Sequence, residues 1–214
     1  PNDLKKIQSY IHNNWKKKHI LSINKKLFNW QHNSIKKKID FLVKKKNNEI
    51  VAILGIINFS RDRNFSQVAL AIWHTQKRVY GLNLISKVLL DKNIESIKAT
   101  TISEEVIPLY KLMGFKVNSF NQYYITHLPS QNQKVSKGLL KENLDLNINN
   151  CNLIFDKIIK ILKKKKLDKN FLSWRYINHP IYKYYFLTEP NYKLVLICRI
   201  IRIKSIKFLR VVDF

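Results

Sequence analysis

Residues 67–89 read QVALAIWHTQKRVYGLNLISKVL. Three pieces follow one another without a gap. Gln67 to Thr75 reads as a strand whose core, Val68 to Trp73, is apolar on both alternating faces, as expected of a central strand covered on both sides. Next comes a short turn holding Arg78-x-x-Gly81-x-Asn83, and then a helix with Leu82, Ile85, Val88 and Leu89 as its apolar stripe. A strand that runs straight into a helix presents the helix's unbonded first N–H groups, and the positive end of its dipole, beside the strand's C-terminal end. A pyrophosphate can sit there on main-chain donors. Gly81 is expected to let the backbone approach the phosphates without a Cβ in the way, and Lys77 and Arg78 add positive charge. Taken alone, a turn with one glycine is equally an ordinary strand-to-helix connection.

On the N-terminal side, Leu4, Ile7, Ile11 and Trp15 recur at helical spacing, which predicts a helix over 3–15. Asn24 can cap a second, short helix through Leu27, Phe28 and Trp30. Ile39 to Val43, a turn at Asn47-Asn48, and Ile50 to Phe59 read as a β-hairpin. On the C-terminal side, Ile97 to Thr101 is a short strand. Ser103 caps a helix carrying Val106, Leu109 and Met113 that ends at Gly114, and strands are expected over 115–120 and 123–127. Helices and strands in this order make an α/β layer fold. Residues 129–149 are polar and read as a linker. A helix over 153–162, the segment FLSWRYINHP (171–180) and strands near 182–187, 192–203 and 206–212 follow. One helix before three strands again suggests the first half of a second copy, alike in architecture and without a residue-level repeat. The expected division is 1–128, a linker 129–149, and 150–214.

The chain has 214 residues, with 40 Lys and Arg against 14 Asp and Glu, a formal net charge of +26. Such a balance points to nucleic acid or an anionic membrane. The lysines, however, fall in short runs among Asn and Ile (16–18, 36–38, 44–46, 163–166), which resembles a compositional bias toward Lys, Asn and Ile. Either way, the field favours anionic ligands such as phosphates. Cys151 and Cys198 have no metal-ligand spacing, so a disulfide scaffold is not expected, no metal is expected, and a reducing cytoplasm fits. The stretch Leu194 to Ile203 is broken by Arg199 and Arg202 and is too short to span a bilayer. Residues 1–15 read as an amphipathic helix, not a signal peptide.

Two segments in order resemble the GNAT acyltransferases. After its strand, Arg78-x-x-Gly81-x-Asn83 is similar to that family's pyrophosphate loop. Leu109-Tyr110-Lys111-Leu112-Met113-Gly114-Phe115 is similar to its later helix end. The likeness covers about residues 3–127. It implies a GNAT fold, a mixed and mostly antiparallel sheet flanked by helices, followed here by a partial second GNAT-like half. Leu27 to Gln31, Ala71 to Trp73 and Trp174 to Tyr176 also resemble a subgroup found with bacterial surface-polysaccharide genes. There are departures. Asn83 stands where the loop usually ends in Gly or Ala, and Gln67 lies nearest to the position of a glutamate base, which it cannot replace. The chain also begins near the family's first helix, so its first strand is missing or shifted.

The resemblance implies an acetyl-CoA-dependent N-acetyltransferase acting on a small-molecule amine, with an amino-sugar nucleotide as first choice of acceptor. Arg78, Gly81 and the amides of Leu82 and Asn83 would hold the CoA pyrophosphate. The main chain at Ile72, Trp73 and His74 would hold the pantetheine arm like an added strand. Tyr110 would protonate the departing thiolate, and His74 could relay the amine's proton or simply end a strand in solvent. Trp30, Gln31, His32 and Tyr123 fall where the acceptor site forms, although Trp30 also suits a core. Trp174, Arg175, Tyr176 and His179 could grip a sugar or phosphate, or else pack the second half onto the first. A homodimer is allowed. Two rival readings are an aminoacyl-tRNA-dependent transferase of the peptidoglycan type and a non-catalytic basic RNA-binding module. Nucleic acid is therefore a partner the charge permits but the motifs do not favour.

Overall fold

The computed structural model describes residues 2–33, 39–59, 66–119, 147–150, 158, 169–188, 195–203 and 206–213. The chain packs as two units, Pro1–Thr100 with Asn147–Phe214, and Thr101–Leu146. The expected boundary at 128/129 and the helix over 153–162, apart from Ile158, lie outside the described residues, as do the strand over 123–127 and Tyr123.

The first unit opens with α1 (Asn2–Tyr10), which continues into a π turn over Ile11–Trp15. Leu4, Ile7 and Ile11 are buried, while Trp15 sits at the surface against the His19 ring. After α2 (Ile20–Ile23), the Asn24 side chain accepts from the Leu27 amide and caps α3 (Lys25–His32). The hairpin β1 (Phe41–Lys46) and β2 (Glu49–Asn58) turns at Asn47 and Asn48, with φ of 48° and 63°. Both are left-handed, the geometry of a two-residue hairpin turn, and asparagine is among the few residues that tolerate it. Then come β3 (Gln67–Thr75), α4 (Arg78–Leu89) and β4 (Ser96–Ala99). The sheet order is β1-β2-β3-β4, antiparallel up to β3 and parallel between β3 and β4.

Ile72 joins the core that α1 to α3 form on one face of this sheet. Trp73 and Thr75, which alternation sends to the other face, meet α4. The sheet is thus covered by helices on both sides, a mixed α/β layer arrangement. The strand buried on both faces is β2, where Val51 to Ile56 are all buried, and not β3 as expected. On β3 only Val68, Leu70 and Ile72 are buried, and Ala71 is exposed. The reason is that α4 packs mainly on β2 and on the last residues of β3, leaving the Ala69–Ala71 side of the sheet uncovered. The α4 stripe differs as well. Leu84, Ile85 and Val88 are buried, whereas Leu82 and Leu89 are 40% and 39% exposed.

The rest of this unit is β5 (Asn147–Asn150), α6 (Lys169–Leu172) running into a π turn over Ser173–Ile177, then β6 (Tyr185–Thr188), β7 (Val195–Ile203) and β8 (Ile206–Asp213). These strands form a second sheet, all antiparallel, in the order β5-β6-β7-β8. Residues 147–149, expected at the end of a linker, therefore belong to a strand. Tyr176, Tyr184, Phe186 and Ile197 make its core with Leu172 and Ile158.

In the other unit a 3-10 turn (Glu104–Val106) leads into α5 (Ile107–Leu112). Ser103 is its N-cap residue but makes no side-chain capping bond. Gly114, at φ 85°, ends α5. Its amide donates to the Lys111 carbonyl and the Phe115 amide to the Tyr110 carbonyl, both at 3.0 Å. This is the two-bond Schellman ending, completed by the Phe115 ring against the Tyr110 ring at 4.9 Å. Residues 115–119 do not form the strand expected there.

Candidate functional site

The ladder between β3 and β4 runs only from Gln67↔Ser96 to Leu70↔Ala99. The strand β4 ends at Ala99, opposite Leu70, so among the described residues the β3–β4 ladder does not continue along Ala71 to Thr75. The end of β3 leads directly to the N-terminus of α4. The Thr75 hydroxyl shapes the turn between them: it donates to the Lys77 carbonyl and accepts from the Lys77 amide. The Tyr80 amide donates to the Lys77 carbonyl at 3.0 Å. Among the described residues the amides of Arg78 and Val79 are left without an acceptor, as the first turn of a helix requires. The first turn holds no acidic residue, while Lys77 is the N-cap and Arg78 the first helical residue. Two cations at the positive end of a helix dipole disfavour each other and the helix, a tension that a bound anion relieves.

Gly81 has a different part from the one expected. It is buried within the first turn and a half of α4, and a Cβ on it would stand 2.9 Å from Trp73 Nε1 and 3.0 Å from Thr75 Cγ2. The missing side chain lets α4 press against β3; it does not open the backbone to a ligand. Leu82 and Asn83 follow in the helix, where carbonyls one turn back take their amides. Their side chains are exposed.

His74 lies on the α1 face of β3. The Tyr10 hydroxyl is 3.1 Å from the Val51 carbonyl and 3.1 Å from His74 Nδ1. The single phenolic proton goes to the carbonyl, so His74 Nδ1 carries the hydrogen that reaches the Tyr10 oxygen, and Nε2 keeps its lone pair. Partial burial pushes the His74 pKa down, which keeps the ring neutral near pH 7. Tyr10 was not legible as a partner in the sequence, since 64 residues separate it from His74.

The stretch Trp30-Gln31-His32 divides its roles. His32 is fully buried between the Phe28 and Phe41 rings. Its Nδ1–H donates to the Ile56 carbonyl at 2.9 Å, and the Gln31 side-chain amide donates to Nε2 at 3.1 Å. Burial pushes its pKa down to about 4, only partly opposed by the hydrogen bond to Ile56. It is a core histidine, enclosed and saturated, and not a cleft residue. An unfolded chain takes up this proton near pH 6.5, whereas the folded core refuses it until about pH 4. Stability from this group is therefore full above about pH 6.5 and falls as the pH drops toward 4. Denaturant titrations should show the wild type losing about 2 kcal/mol more than His32→Gln between pH 7 and pH 5. Equal losses would refute the buried neutral ring.

Trp30 faces Trp174. Their rings stack at 4.6 Å with 19° between planes. Each indole N–H donates to the other's carbonyl, Trp30 to Trp174 at 3.2 Å and Trp174 to Trp30 at 3.0 Å. The reciprocal pair clamps the two helical segments together, so Trp174 is a packing residue. A residue-level echo is visible once they are aligned: LFNWQH (27–32) and FLSWRY (171–176) each carry two apolar residues, a small polar one, Trp, a polar or basic one and an aromatic. That echo is the signal in the sequence for this pairing, and it spans only six positions.

Around His179 a second group gathers. Its ring contacts Trp30 at 4.3 Å, Tyr182 at 4.8 Å and Tyr184 at 5.6 Å. Its Nδ1 accepts from the Ile181 and Tyr182 amides at 3.2 and 3.0 Å. Partial burial, with Arg175 and Arg199 nearby, pushes its pKa down to about 4. Tyr110 belongs to the other unit, where it is buried, and desolvation pushes its phenol pKa up, so it is protonated at neutral pH. Among the described residues no three His, Cys, Asp or Glu gather to hold a metal, and no helix is long and apolar enough to cross a membrane.

Comparison with known protein families, with curated proteins and with solved structures finds no match to this chain.

Proposed function

We propose that the chain is an acetyl-CoA-dependent N-acyltransferase of the GNAT type, acetylating a primary amine, with an amino-sugar nucleotide as the first acceptor to try. The observation that carries this reading is the cationic N-terminus of α4, which follows β3 directly beyond the end of the β3–β4 ladder at Leu70. In this reading an extended pantetheine arm runs along β3 beyond Leu70, past the main chain of Ile72, Trp73 and His74. The pyrophosphate suits the amides of Arg78 and Val79 with the Lys77 and Arg78 charges. In this revised set Gly81 acts by holding α4 against β3, and Leu82 and Asn83 contribute no amides.

Direct transfer needs four events. The ammonium loses a proton, for which neutral His74 offers Nε2. The amine attacks the thioester carbonyl, and the oxyanion is stabilised by a main-chain N–H of the strand edge. The C–S bond breaks, and the thiolate takes up a proton as the attacking nitrogen sheds its second one, which leaves a neutral amide; the resemblance gives that acid's role to Tyr110, which belongs to the other unit. A phenol kept protonated by burial suits that last step.

Calorimetry should show micromolar acetyl-CoA binding, roughly −7 to −8 kcal/mol. Arg78→Glu replaces a cation by an anion at the helix N-terminus and should weaken it about tenfold or more, with circular dichroism unchanged. No binding at millimolar acetyl-CoA would sink the proposal.

A further inference from the structure

Arginine is scarce in this chain, only 7 of its 40 basic residues, so a drift toward lysine does not account for arginines that gather. Arg175 and Arg199 both act on His179 and Tyr184, and Arg210 faces Arg199 across β7 and β8. Arg199 lies over the Tyr182 ring at 4.3 Å and hydrogen-bonds the Tyr184 side chain. Its Nε is buried, with no hydrogen-bond partner among the described residues. Arg175 lies 6.0 Å over the Trp30 ring, and its charge, like that of Arg199, is felt by both His179 and Tyr184. Arg210 stands directly opposite Arg199 in the β7–β8 register. Like charges facing each other across strands are destabilising. Among the described residues no carboxylate is paired with any of the three; the ion pair present, Lys45 with Asp3, involves neither sheet two nor these arginines.

A pocket of about 170 Å³ opens at this corner, lined by Ile181, Tyr182, Lys183, Tyr185, Arg199 and Ile200. That is smaller than the ~300 Å³ at which drug-sized ligand sites begin. It suits a headgroup, not a whole dinucleotide. Planar guanidinium groups backed by aromatic rings are the arrangement that grips phosphate oxygens in pairs. We propose that the pocket lined by Arg199, Tyr182 and Lys183 is a binding site for a phosphate ester, the phosphate on the Arg199 guanidinium and Lys183 with the Arg175 charge nearby, and any attached sugar against Tyr182. The site is separate from the α4 N-terminus and does not depend on the acyl-transfer reading.

The test is calorimetry on the full chain in 150 mM salt, where loose attraction to the net charge is screened. The probes are inorganic phosphate and glucose 1-phosphate. The wild type should bind with a saturable one-to-one isotherm. Arg199→Gln and Arg175→Gln should each weaken binding about tenfold or more. Lys87→Gln removes the same charge from the exposed last turn of α4 and should leave it unchanged. Tighter binding of glucose 1-phosphate than of phosphate assigns a sugar phosphate; equal binding assigns the phosphate alone. Should Arg199→Gln lose its circular dichroism signal, exposed Lys183→Gln takes its place, with a several-fold loss expected. No saturable binding of either probe at 10 mM, or equal weakening by Lys87→Gln, overturns the proposal.

Discussion

Gly81→Val should lower the melting temperature by on the order of 10 °C, even though the substitution replaces a poor helix former by a better one. The first atom added would sit 2.9 Å from the Trp73 indole nitrogen and 3.0 Å from Thr75 Cγ2, and both groups are held by β3. Valine's two methyl groups then have to displace the helix or the indole. Overpacking of this kind costs about 3 kcal/mol at the upper end of its usual range. Differential scanning fluorimetry measures the shift. The partner of the clash gives a sharper check: Trp73→Phe removes the indole nitrogen, so the Gly81→Val/Trp73→Phe pair should be more stable than the two separate losses add up to. A fold left intact by Gly81→Val, with only acetyl-CoA affinity lost, would show instead that Gly81 makes room for a ligand.

Tyr110→Phe should lower the turnover number about 10²-fold with an accepted amine, while the acetyl-CoA dissociation constant stays put. A positioned general acid is worth ~10²- to 10⁴-fold, and a thiolate leaves readily, which favours the lower figure. The substitution is conservative for the structure, because the ring contact with Phe115 that completes the end of α5 needs no hydroxyl. Unchanged turnover would make Tyr110 a capping residue alone. Reduced turnover with a weakened CoA complex and a lower melting point would point to a disturbed α5 and count against acid catalysis.

The segment Leu-Tyr-x-x-x-Gly-Phe illustrates how one pattern can serve two arguments. It supported the family resemblance through its order and spacing. In the structure the same residues are a helix ending: Gly114 takes the left-handed conformation, Tyr110 is the residue whose carbonyl is capped, and Phe115 packs on it. Helix-ending physics by itself selects a glycine and a following apolar residue at these positions. The likeness therefore rests on the other segment, where α4 begins at Arg78 directly after β3, with Lys77 as its N-cap. There α4 begins at Arg78, so among the described residues the first-turn amides without a helical acceptor are those of Arg78 and Val79, not those of Leu82 and Asn83.

Local rules were sufficient for several elements. Asn47 and Asn48 set the hairpin because few residues accept positive φ, Asn24 capped α3 because its side chain reaches back to an orphan amide, and β3 has the bounds 67–75 that its apolar run implies. Each of these depends on residues within a few positions of one another, so the amino-acid sequence by itself determined them. The tertiary structure alone decided which faces are covered. Whether β2 or β3 is buried on both sides depends on where α4 lies across the sheet, and whether Gly81 answers to a ligand or to Trp73 depends on a distance between two elements. The burial of His32, the pairing of His74 with Tyr10, the Trp30–Trp174 clamp and the gathering of Arg175 and Arg199 join residues that are far apart in the chain. Periodicity reports that a residue has an apolar or polar face, but not which partner arrives against it, because packing is fixed by the mutual fit of surfaces that no local pattern encodes.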